Sequence, residues 1–166
     1  GVRNLYLRHR QEADPHGRLG LSIGLGKAVH LLQSEPSTQA ALYRDAYRLA
    51  KELGDISSAL QALWGLVTTG FAVRRPRQIL NAAKQFYDFA VINDRIADSL
   101  VAECLMACGL HDLGAVSAAE GHLHHVLACY SRAESIADTE RYLFNHRALA
   151  LGWLASCQWQ TGRVDE

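Results

Sequence analysis

The feature that most constrains this chain is a repeat of helix ends. Turns at Arg74 and Gly114 are separated by about 40 residues, and a further helix end, Gly162, follows at a slightly longer interval. A bulky apolar residue stands eight positions before each of these ends and a small or slim one seven positions before; the pairs are Leu66–Val67, Met106–Ala107 and Leu154–Ala155. Repeats of this length, each with a small residue at a close helix contact, predict an α-solenoid.

The spacing of apolar residues predicts an all-α chain of about seven antiparallel helices with short connections, wound into a right-handed superhelix. The first helix is expected over residues 19–32, with one apolar face formed by Leu21, Leu25, Ala28 and Leu32. The last is expected from about Leu143 to Trp159.

Residues with strong positional preferences mark the helix ends. A turn is expected near Ser34, followed by an N-cap at Ser37 or Thr38. Gly54 is predicted to be a left-handed C-cap, and Asp55 to be the N-cap of the next helix. Pro76 is expected in the first turn of a further helix, and Asn93–Asp94 marks the next break.

Composition excludes several classes of protein. The 166 residues are enough for one domain, and 49% hydrophobic residues exclude a disordered chain. Seventeen basic residues balance seventeen acidic ones, so direct nucleic-acid binding by this segment is not expected. No apolar run is long enough for a membrane span.

The chain begins without Met and its last helix lacks a partner, so we expect a single repeat domain, 1–166, cut from a longer multidomain protein.

Two segments resemble a known family. Leu53-Gly54-Asp55 followed by 62–66 (ALWGL), and Leu113-Gly114 followed by 118–127, are similar to the tetratricopeptide-like repeat tails of large bacterial signalling ATPases and transcriptional regulators. Such tails also occur behind nucleotide-cyclase modules. The resemblance implies a regulatory role in signal transduction or transcription. One departure is Arg74-Arg75-Pro76, which replaces the glycine-containing turn of the family.

The first helices of successive pairs are expected to line the binding surface of such an array. They would offer Trp64, Thr68 and Phe71 on one helix, and Glu103 and His111 on the next, to a protein or peptide partner or a small effector. We predict no enzymatic activity and no cofactor. A structural or homo-oligomerisation arm stays an open alternative.

A metal- or anion-binding domain is a further alternative. Cysteine and histidine residues recur at helical spacing on two neighbouring helices, and a soft transition metal such as zinc accepts these ligands. The candidate ligands are Cys104, Cys108, His111, His122 and His125. The structural alternative to metal binding is that the small thiols fill tight contacts between helices. All four cysteines lie in apolar helical stretches, which favours free thiols in a cytoplasmic protein.

Three other patterns favour a structural interpretation. The glycines at 20, 24 and 26 before Lys27 resemble a phosphate loop but lack its spacing, so we expect them to permit close helix packing. Arg74, Arg75 and Arg77 are expected in a solvated turn. The three tryptophans, Trp64, Trp153 and Trp159, are expected in the core.

Overall fold

A computed structural model describes residues 14–31, 35–131, 136 and 139–163, and this part of the chain is helical without strands. Its helices are α1 (Pro15–Leu31), α2 (Pro36–Leu53), α3 (Ile56–Ala72), α4 (Pro76–Ile92), α5 (Ile96–Asp112), α6 (Val116–Cys129) and α7 (His146–Gln160). Residues 139–142 add a short helical segment. The all-α class and the array of helix pairs are confirmed, whereas the right-handed superhelix stays a prediction.

The helices fall into two compact units, with the boundary between Val73 and Arg74. In the first unit α2 packs against both α1 and α3, and α1 also contacts α3. In the second unit α5 packs against α4 and α6, and α7 packs against α6 and α5. Within each unit, therefore, neighbours along the chain are also neighbours in space.

The structure reveals a finer period than the sequence did. Successive helices begin at positions 36, 56, 76, 96 and 116, so their starts are evenly spaced and each interval holds one helix and its turn. The backbone is left-handed at Gly54, Arg74, Asp94 and Gly114, which repeat at the same interval. Arg74, with φ of 50°, adopts the conformation that glycine provides elsewhere, and the arginines at 74, 75 and 77 are exposed. The repeat predicted from the sequence is thus one pair of these helices.

Most of the predicted helix ends are confirmed. Gly54 has φ of 68° and donates its N–H to the carbonyls of Ala50 and Lys51. The Asp55 carboxylate accepts the N–H of Ser58, 2.9 Å away, and Pro76 opens α4. The N-cap at Ser37 or Thr38 is wrong, because α2 already begins at Pro36, whose missing N–H costs nothing in a first turn. The turn near Ser34 and the residue Leu32 lie outside the described residues.

The last helix begins later than the predicted start at Leu143. Leu143 has a positive φ of 61°, which interrupts the helix after residue 142. The side chain of Asn145 then accepts the N–H of Ala148 at 2.9 Å and caps α7. The interruption at residues 143–145 lies between Tyr142 and His146, both of which are buried in the core.

The second helices of the pairs bury one stripe each, at equivalent positions. The stripes on α2, α4 and α6 include Gln39, Tyr43, Ala46 and Ala50; Ile79, Ala83, Phe86 and Ala90; and Ala119, Leu123 and Val126, with Tyr130 directly after α6. Helix α2 also buries Leu42 and Leu49. Burial on every fourth or third residue is the pattern of a helix that covers a neighbour on one side only. In contrast, α3 and α5 are buried around most of their circumference.

The predicted apolar face of α1 is wrong. Leu21 is exposed and Leu25 is half-buried, while the buried residues are Leu19, Ser22, Ile23 and Gly26. The cause is the ring of Tyr43, which lies against both Gly26 and Gly65. A large side chain from α2 fills the space that two glycines leave, so close packing is confirmed for Gly26. Gly20 and Gly24 have no neighbour near the position of a Cβ atom, so the expectation fails there.

Candidate functional site

A carboxylate and two imidazoles form a polar cluster in the second unit. Glu103 lies on α5 with 6% of its surface exposed. Its Oε1 is 2.9 Å from Nδ1 of His122, and its Oε2 is 2.8 Å from Nδ1 of His125. The two histidines stand at positions i and i+3 of α6, a spacing that places them on the same face.

This geometry decides which ring nitrogens carry protons. An ionised carboxylate accepts hydrogen bonds only, so both Nδ1 atoms must be the donors. In the neutral rings the Nε2 atoms are then unprotonated. The side chains of His122 and His125 are 37% and 57% exposed, so their outer edges reach solvent. Glu103 is therefore a buried anchor that orients two partly exposed imidazoles.

The five residues of the predicted metal set are not brought together. Cys104 donates its S–H to the carbonyl of His146 at 3.5 Å, and Cys108 donates to the carbonyl of Cys104 at 3.2 Å. Burial raises the pKa of the Cys108 thiol well above its usual range, which keeps it protonated and a poor metal ligand. Within the described ranges, no three His, Cys, Asp or Glu side chains are grouped to hold a metal ion.

His111, the remaining residue of that set, faces α7 instead. Its Nε2 is 3.0 Å from Oγ of Ser156 and 2.9 Å from Nε2 of Gln160. Its ring meets the ring of Trp153 edge-on, with 4.7 Å between centroids. These contacts join the end of α5 to the second half of α7.

An open depression of about 350 Å³ adjoins this contact. It is lined by Ala148, Leu149, Gly152, Trp153 and Ser156, all on one side of α7. Ala148 and Gly152 contribute the smallest groups to this lining, and Trp153 contributes the largest. Its volume falls at the lower end of the range for ligand sites, roughly 300–1,000 Å³.

The predicted partner-binding residues have different fates. Trp64 is fully buried, and Thr68 is buried with its hydroxyl donating to the carbonyl of Gly65 at 2.9 Å. Neither side chain offers surface to a partner in this conformation. Glu103 is engaged by its two histidines, and Phe71 is half-buried. Of the five, His111 lies beside the depression, while Trp153, Ser156 and Gln160 were missed.

The sequence held one signal for the missed residues. Ala148, Gly152 and Ala155 place small side chains along one side of an otherwise apolar helix. All three are exposed, as is Leu151 at 53%. Trp159 is 73% exposed, so its prediction as a core residue is wrong, whereas Trp64 is buried and Trp153 half-buried.

The uncovered side of α7 corresponds to a covered side of α5. Both helices end at a left-handed glycine, Gly114 and Gly162, which aligns the two sequences. In this alignment Ala148, Gly152, Ala155 and Ser156 match Leu100, Cys104, Ala107 and Cys108. The four residues of α5 are buried, and Glu103 beside them contacts α6. Cys104, which matches Gly152, contacts the backbone of α7. The exposed side of α7 therefore matches a side of α5 that neighbouring helices cover.

The described ranges contain no helix with both the length and the apolarity that crossing a membrane requires. Protein-family models gave no match to this chain, and no curated protein matches it significantly.

Proposed function

We propose that this chain is a protein-interaction module that binds an amphipathic helix on the exposed side of α7. The observation that carries the proposal is the exposure of Ala148, Gly152 and Ala155 at positions whose equivalents on α5 are buried. Small residues allow a helix backbone to approach closely, and Leu151 adds apolar surface beside them.

The preceding repeat indicates the chemistry of the partner. One of the helices that pack against α5, α6, buries Ala119, Leu123 and Val126 completely, at spacings of four and three positions. A partner with a small residue followed by two aliphatic residues at this spacing would fit α7 in the same manner. This is recognition of a helix in a groove, read through residues i, i+4 and i+7.

A peptide with the sequence of residues 115–130 is the appropriate probe, because it carries this pattern. Titration into the protein should shift the fluorescence of the exposed Trp159 to shorter wavelength in a saturable manner, since a docked helix would remove water from the indole. Gly152→Arg should weaken binding at least tenfold by filling the depression.

Two controls distinguish specific docking of the peptide from nonspecific binding. Ala128→Arg adds the same charge at an exposed position of α6 and should leave the affinity unchanged. A peptide with aspartate in place of the leucine and valine that match Leu123 and Val126 should not bind. Equal binding of both peptides, or an unaffected Gly152→Arg protein, would overturn the proposal.

The wider role that we propose follows from the resemblance of residues 53–66 and 113–127. A helix-binding array of this kind would serve as the regulatory part of a cytoplasmic bacterial signalling protein or transcriptional regulator. Binding of a helix at α7 would then report the presence of a partner to the attached modules. Affinity capture with the wild-type protein and with Gly152→Arg, compared in the parent organism, tests this role.

A further inference from the structure

We propose that His122 and His125 bind a late divalent transition-metal ion, such as Ni²⁺ or Cu²⁺, through their Nε2 atoms. The inference is independent of helix binding at α7. It starts from the two hydrogen bonds of 2.9 and 2.8 Å that fix both rings on Glu103.

The fixed tautomer is the first supporting step. Metal-binding histidines usually donate their second ring N–H to a carboxylate, a carbonyl or water, which orients the ring and raises the basicity of the ligand nitrogen. Both rings here already have this arrangement. No hydrogen bond within the described part of the chain engages either Nε2 atom.

The charge of the cluster is the second step. Glu103 is 6% exposed, and the groups that reach its carboxylate are imidazoles. A buried carboxylate is costly unless positive charge lies nearby. A divalent cation at the outer edge of the rings would supply that charge through the two hydrogen bonds.

The choice of metal follows from the ligands. Imidazole nitrogen suits Zn²⁺, Cu²⁺ and Ni²⁺, and affinity along the first row is highest for Cu²⁺. Two nitrogens on an exposed face leave the other coordination positions to water. The ions that bind imidazole most strongly are therefore the ones that two ligands can hold.

The test is calorimetric titration of NiCl₂ into the whole chain, with Cys129→Ser in every protein because that thiol is exposed. One Ni²⁺ per chain should bind. His122→Ala and His125→Ala should each weaken binding at least tenfold, and both sites are partly exposed, so folding should persist. Glu103→Gln should weaken it by about 10- to 100-fold, the usual effect of removing the group that orients a ligand.

His124→Ala is the matched control. This histidine lies on the same helix, but its Nε2 faces Glu120 at 3.6 Å and not Glu103. Its replacement should leave Ni²⁺ affinity unchanged. The electron paramagnetic resonance spectrum of bound Cu²⁺ should show two nitrogen ligands. A loss with His124→Ala equal to that with His125→Ala, an unchanged Glu103→Gln protein, or no Ni²⁺ binding would overturn the proposal.

Discussion

His146 is the residue whose burial has the clearest consequence for stability. Its side chain is fully buried between the rings of Tyr142 and Phe144, and burial lowers its pKa to about 4. The folded protein therefore holds a neutral imidazole at pH values where the unfolded chain binds a proton. Between about pH 6.5 and pH 4, the unfolded state gains stability from that proton and the folded state does not.

The free energy of unfolding should therefore fall by about 1.4 kcal/mol for each pH unit across this window, and no further once the pH is below the folded pKa. His146→Leu should remove this contribution. Urea unfolding at pH 7.5, 6.0 and 5.0 measures it as the difference between the two proteins. Parallel curves for the wild type and His146→Leu would contradict the prediction.

The glycines of α1 provide a second comparison at the residue scale. A Cβ atom at Gly26 would lie 2.8 Å from the Tyr43 ring, whereas nothing lies within 4 Å of one at Gly24. Gly26→Ala should destabilise the protein by about 1–3 kcal/mol through overpacking. Gly24→Ala should stabilise it by about 0.5–1 kcal/mol, because alanine favours the helix. The urea midpoints of the two variants should move in opposite directions. A shift of both midpoints in the same direction would contradict the contact between Tyr43 and Gly26.

At the scale of the elements, the turns are the informative features. Gly54 and Gly114 adopt the left-handed backbone conformation without steric cost. Arg74 and Asp94 adopt the same conformation although each carries a Cβ atom. Such a conformation costs a non-glycine residue roughly 1–2 kcal/mol. The helices end at the same interval at all four positions, so the period does not depend on glycine alone.

Arg74→Gly should raise the thermal unfolding midpoint, with a gain of about 1 kcal/mol. Arg77→Gly is the matched control, because this exposed arginine lies within the first turn of α4, where glycine costs about 1 kcal/mol. Thermal melts followed by circular dichroism compare the two. If Arg74→Gly lowers the midpoint as Arg77→Gly does, Arg74 does not adopt the left-handed backbone conformation.

Much of this element-scale structure could be predicted from the sequence, because its causes are local. Gly54, Asp55 and Pro76 act through their own backbone preferences, and each marked a helix end correctly. The face of α1 could not be predicted, since a search for large apolar residues overlooks a glycine covered by a tyrosine from another helix. Glu103 and His122 were both named, but their pairing depends on the register between α5 and α6, which no local pattern encodes.

At the scale of the whole molecule, each unit has its own core. In the second unit, buried Asp98 on α5 receives hydrogen bonds from Arg141, at 2.9 Å, and from the hydroxyl of Tyr142, while Arg95 lies 3.0 Å away. This network ties the helical segment at 139–142 to α5. Residues 141 and 142, shortly before α7, are therefore anchored by a buried carboxylate.

A chain of residues 74–166 alone should fold, because these contacts and the helix packing around α5 lie within it. Circular dichroism should show a cooperative thermal transition. Tyr142→Phe should destabilise the fragment by about 1.5–3 kcal/mol, the usual value of a hydrogen bond to a charged group. A gradual transition without a midpoint would show that the core of this unit depends on residues 1–73.

The even spacing of helix starts has a consequence for how such a chain can change in length. From α2 to α6, helices that bury one stripe alternate with helices that are buried almost all round, so the two kinds occupy even and odd positions along this part of the sequence. Duplication or deletion of two consecutive helices with their turns preserves parity and leaves every later helix in a suitable environment. Gain or loss of a single helix inverts parity, exposing the apolar sides of later helices and burying their charged ones. Viable length variants of this chain should therefore differ by whole pairs.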